Sequence, residues 1–77
     1  MSNYFAQVKK IISEKSGVDP SEITEESYFE DDLNIGEMEL VEILSEIEEA
    51  LQVDLIEEKG NIASVADLLD MLSEKLD

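Results

Sequence analysis

The chain of 77 residues has no cysteine and no histidine. The first absence removes disulfides and thiolate nucleophiles. The second removes the usual general base near neutral pH, and together they exclude zinc sites built on thiolate or imidazole. Arginine is missing too, and 5 lysines stand against 21 aspartates and glutamates. A net charge of −16 makes binding to nucleic acid or to an anionic membrane electrostatically unfavourable and favours basic protein partners. No apolar run is long enough to suggest a membrane-inserted segment, and the N-terminus lacks the basic-then-apolar pattern of an export signal. The expected location is the cytoplasm, or an organelle matrix after removal of a targeting segment.

Apolar residues still make up 43 % of the chain, unlike the aliphatic-poor composition of acidic disordered tails, so the sequence is expected to fold. Its length suits a single domain over residues 1–77 with one core and no second module. At this size burial barely offsets chain entropy, and repulsion among the carboxylates lowers the margin further.

The periodicity predicts a first helix over residues 3–16, capped by Ser2 or Asn3, with Phe5, Val8, Ile11 and Ile12 inward and Lys9, Lys10 and Lys15 away from that stripe. Gly17 can take the left-handed C-terminal position, and Pro20 prevents the helix from resuming. From Val18 to Gly36 runs a segment too long for an ordinary helix connection, in which Ile23, Tyr28, Phe29 and Leu33 are expected to pin the backbone to the core. Asp19, Pro20 and Glu22 read there as a cap, a first-turn proline and a capping-box acid around one short helical turn.

A second helix is expected from after Gly36 to about Leu51, with Glu37 and Glu39 in the first turn, where the helix dipole favours carboxylates. Leu40, Ile43, Leu44, Ile47 and Leu51 form its inward stripe. On the outer side Met38, Val41 and Ser45 make a modest apolar strip bordered by Glu42, Glu48 and Glu49. Beyond Val53, Leu55, Ile56 and Ile62 are expected to be buried, while Gly60 and Asn61 allow at most a very short third helix. Ser64 and Asp67 then cap a last helix whose face is Val65, Leu68, Leu69, Leu72 and Leu76. No strand alternation and no internal repeat occur, so the expected class is all-α, with three long helices and one short.

Acid-rich sequence around a glycine invites an EF-hand reading. Placing Gly36 at the required glycine position puts Leu33 and Ile35 where oxygen ligands belong, and the motif fails. Glu30, Asp31 and Asp32 are left as at most a weak cation site. Nothing suggests the concave, desolvated pocket that would separate the pKa values of two carboxylates for acid and base work. Tyr4, Phe5, Tyr28 and Phe29 read as core or core-edge residues, with an interface role for Tyr28 the lesser alternative.

The order QVKKIISEKSGV, VDPSEITEESYFEDDL, VEILSEIEEAL, IASVADLLDML resembles the acyl carrier proteins, small acidic helical bundles that ferry thioester intermediates in fatty-acid and polyketide synthesis. The resemblance spans nearly the whole chain and rests on order, spacing and charge together. It implies an acyl-carrier-protein-like four-helix bundle with three long helices, a short third helix and a long structured loop between the first two long helices. The stretch between the second and last helices is slightly shorter than usual in that family.

The family attaches 4'-phosphopantetheine to a serine at the start of the second helix, within an aspartate, serine, leucine triplet. Counting on from Asp32 and Leu33, the corresponding triplet here is Gly36, Glu37, Met38, so Glu37 stands at the attachment position and no cofactor is expected. Ser27, Ser45 and Ser64 do not lie at the start of that helix beside an acidic residue. Leu40 occupies a place that is often a smaller threonine near the mouth of the family's acyl-chain cavity. It either fills that space or packs better in the helix.

The resemblance also implies that the second helix meets basic patches on synthase, transferase or other carrier-binding enzymes. Met38, Glu39, Val41, Glu42, Ser45, Glu48 and Glu49 are the candidate contacts. The expectation is therefore a non-enzymatic, monomeric interaction module with no metal site. The competing readings are an ordinary acyl or aminoacyl carrier with an altered attachment residue, for which Met38 is a weak pointer to D-alanyl carriers, and an acidic metal buffer.

Overall fold

A computed structural model describes residues 4–76, and the expected caps Ser2 and Asn3 lie outside them. Three α-helices are present, α1 (Tyr4–Ser16), α2 (Glu37–Leu51) and α3 (Val65–Leu76), with a 3-10 turn at Pro20–Glu22 and a short 3-10 helix at Ile56–Asn61. The described residues thus form a small all-α domain of three long helices and one short one, with extents of 28 × 25 × 20 Å and no strand.

The helix ends follow local chemistry. Gly17 closes α1 at φ +83°, where a side chain would be strained, and its N–H donates to the Ser13 carbonyl at 2.8 Å. Asp19 caps the Pro20–Glu22 turn by accepting from the Ser21 N–H at 2.9 Å, and this bond, with a second from the Ser21 hydroxyl, lowers its pKa. Among the described residues Glu22 sends no side-chain bond back to Asp19, so the expected capping box is only half formed. At α3 it is complete: the Asp67 N–H donates to the Ser64 hydroxyl at 3.2 Å, and the Asp67 carboxylate accepts from the Ser64 and Ala63 N–H groups. The α2 C-terminus turns on Gln52, left-handed at φ 59°.

Val8 and Ile12 from α1, Ile43, Leu44 and Ile47 from α2, Val65, Leu68 and Leu72 from α3, and Leu55 are fully buried. Each such side chain is worth about 1.5–3 kcal/mol of transfer free energy, the main term opposing chain entropy. The stripes are narrower than the sequence suggests. Leu40, Leu51, Ile56 and Leu69 pack against this core but are only half-buried, and Leu76 is exposed. Lys9 is not clear of the α1 stripe either, since its ammonium lies 5.0 Å from the centre of the half-buried Phe5 ring.

The α1–α2 loop is built, not slack. Ile23, Phe29 and Leu33 are buried as expected, and Ile35 joins them, but Tyr28 is 52 % exposed. Tyr28 faces outward because it sits in a short antiparallel bridge with Ser64, flanked by Phe29 N–H to Ala63 carbonyl (3.0 Å) and Val65 N–H to Ser27 carbonyl (2.9 Å). Successive side chains there point to opposite sides, so burying Phe29 turns Tyr28 outward. A turn follows in which the Asp32 carboxylate accepts from the Tyr28 N–H at 2.8 Å and Asn34 adopts φ 58°. The loop thereby ties the start of α3 to the start of α2.

The third helix is very short, as expected, with Gly60 and Asn61 as its last residues and a kink at Glu58. Glu48 of α2 holds the entry to this segment, its Oε2 accepting from the N–H groups of Leu55 at 2.6 Å and Ile56 at 2.9 Å. Those bonds, Leu55 first, lower the Glu48 pKa.

Candidate functional site at the start of α2

Glu37 is the first residue of α2 and follows Gly36, whose φ of −78° any residue can adopt and which offers no side-chain cap. A Cβ on Gly36 would meet nothing within 4 Å, so neither backbone nor space requires glycine there. The Glu37 carboxylate is exposed and accepts a hydrogen bond from the Lys59 ammonium on the short helix. That bond and the accompanying charge attraction lower the Glu37 pKa. Sequence reasoning passed over Lys59. The available signal was that it is the only cation between Lys15 and Lys75, in a stretch dense with acids.

Beneath this ion pair lies a depression of about 380 Å³ between the start of α2, the loop and the short helix. Its lining includes Tyr28, Ile35, Leu40 and Ile62, together with Glu37 and Lys59. Leu40 thus stands in the wall of the space, half-buried.

The seven expected contact residues of α2 separate into two kinds. Met38 is 84 % exposed, and among the described residues Glu39, Glu42 and Glu49 have no hydrogen-bond or ion-pair partner. Val41 and Ser45 are half-buried along the same helix. Glu48 differs, because its carboxylate is committed to the Leu55 and Ile56 backbone. A further α2 acid, Glu46, faces Lys15 of α1 at 3.6 Å. The uncommitted surface of α2 therefore includes Met38 and Val41 with Glu39, Glu42 and Glu49.

A phosphopantetheine arm does not fit these residues. Its phosphodiester needs an alcohol oxygen, and the side chain at the start of α2 is a carboxylate held by an ammonium. Ser27 and Ser64 are buried, with the Ser27 hydroxyl accepting from the Thr24 N–H and the Ser64 hydroxyl capping α3. Ser45 lies two turns inside α2 and is half-buried. Among the described residues no group of three or more acidic side chains is arranged to hold a metal ion, and Asp32 of the acidic loop spends its carboxylate on the Tyr28 N–H. No described helix is long and apolar enough to cross a membrane. Compared with models of known protein families, the chain matches none of them.

Proposed function

We propose that this chain is an acyl-carrier-protein-like interaction module that is not an enzyme, carries no phosphopantetheine and acts by docking onto a basic surface of a synthase, transferase or related carrier-binding enzyme. The observation that carries the reading is the start of α2, where the carboxylate of Glu37, joined to Lys59, stands at the position that bears a hydroxyl in carrier proteins. Beside it, exposed Met38 and half-buried Val41 lie among the uncommitted carboxylates of Glu39, Glu42 and Glu49. Such a surface suits fast, weak, salt-sensitive association, in which charge steers the encounter and a small apolar strip supplies contact. The module acts as a cytoplasmic monomer.

Incubation with coenzyme A and a promiscuous phosphopantetheinyl transferase, followed by intact mass, tests this. The natural chain gains no mass and Glu37→Ser gains one arm. A gain by the natural chain overturns the proposal. Failure of both means that the surface is not that of a carrier protein.

A further inference from the structure

We propose that the depression between the start of α2 and the short helix receives an arginine side chain of the basic partner. This narrows the docking reading above and rests on it, but it concerns a different surface from the Met38 strip.

Three features of the depression specify the occupant. Its floor is apolar, built from Ile35, Leu40 and Ile62, which suits the aliphatic stem of a long side chain. Tyr28 also lines it and is 52 % exposed, although neighbouring Phe29 is buried. A guanidinium stacks on such a ring through cation–π attraction.

The lining residues also include three acids, Glu30, Asp31 and Glu37, against a single lysine, Lys59. Lys59 engages Glu37, and among the described residues Glu30 and Asp31 have no partner. The chain's own lysine thus engages one acid of the lining, and two further acids of the same lining keep unpartnered carboxylates. A volume of about 380 Å³ is near the small end of ligand pockets and matches one side chain better than a folded segment. Arginine is favoured over lysine because its planar fork can bridge two carboxylates while lying flat on the tyrosine.

The test is a two-dimensional amide NMR titration of the full chain with acetyl-Gly-Arg-Gly amide at fixed ionic strength, beside the lysine and leucine analogues. Variants Tyr28→Leu, Lys59→Ala and Lys10→Ala complete the set. Saturable shifts are expected at Tyr28, Lys59 and Ala63, with the arginine peptide about two- to fivefold tighter than the lysine one and a loss of similar size in Tyr28→Leu. Lys59→Ala removes the internal competitor for Glu37, so it strengthens binding more than Lys10→Ala, which deletes the same charge from α1. Shifts confined to Met38, Val41 and Glu42 overturn the inference and leave docking through α2 standing. Absence of saturable shifts anywhere counts against both. Equal affinity for the leucine peptide, or equal effects of the two lysine variants, overturns it by making the site merely apolar or merely acidic.

Discussion

Replacing Glu48 by glutamine separates structural from surface acids on α2. The Glu48 carboxylate accepts from the N–H of Leu55, a residue with no exposed surface, and from that of Ile56. Glutamine keeps an acceptor oxygen in reach but loses the charge assistance, which roughly halves such bonds. With Glu48 itself half-buried and solvent screening part of the effect, the expected loss is about 1–2 kcal/mol, a fall in Tm of about 5–15 °C for a domain this small. Glu48→Ala costs more, about 2–3 kcal/mol, since it leaves the Leu55 donor unpaired. Glu42→Gln removes the same charge from an exposed, unpartnered site and is the control, with a Tm unchanged or slightly raised by relief of repulsion. The two backbone donors hold the Glu48 carboxyl below its ordinary value of 4.5. A depressed folded-state value stabilises the native chain above the unfolded value, and that contribution disappears as pH falls through the folded one. The Tm gap between wild type and Glu48→Gln, read by circular dichroism, is therefore full near pH 7 and closes below pH 4.5. Equal Tm values for Glu48→Gln and Glu42→Gln at neutral pH, or a gap that persists undiminished at about pH 3, would refute the reasoning.

Three further outcomes are expected. Added magnesium raises the Tm, because 21 acids face only 5 lysines, and an unchanged Tm counts against self-repulsion as a limit on stability. Phe29→Ala loses about 3–5 kcal/mol, enough to abolish most helical signal in a domain of this size, whereas a variant that melts like wild type shows that the loop is not anchored there. In a Glu37→Ser background, lysines at positions 42 and 49 lower the transferase kcat/KM while leaving kcat nearly unchanged, since peripheral charges act chiefly on association. A rate that ignores both reversals removes Glu42 and Glu49 from the interface.

The features readable in advance are those whose physics spans a turn or less. The left-handed Gly17, the Asp19 cap and the reciprocal Ser64 and Asp67 bonds join groups at most four residues apart, so residue type and spacing specify them. Helical periodicity likewise identified the buried residues at the centres of α1, α2 and α3. It gives the face of a helix but not the depth of cover over each residue, and Leu40 and Leu51 are only half-buried while Leu76 is exposed.

Tertiary structure decided the rest of the candidate site. Tyr28 and Phe29 are adjacent and chemically similar, yet the bridge to Ser64 buries one and exposes the other. Glu48 looks in sequence like Glu42 and Glu49, but only it meets the backbone donors of residues 55 and 56. Glu37 and Lys59 are 22 positions apart, a separation no local pattern signals. The linear order determined which groups are charged or apolar and which segments coil into helices. Chain folding alone determined which distant groups meet, because those meetings depend on how whole helices and a long loop close around one shared core.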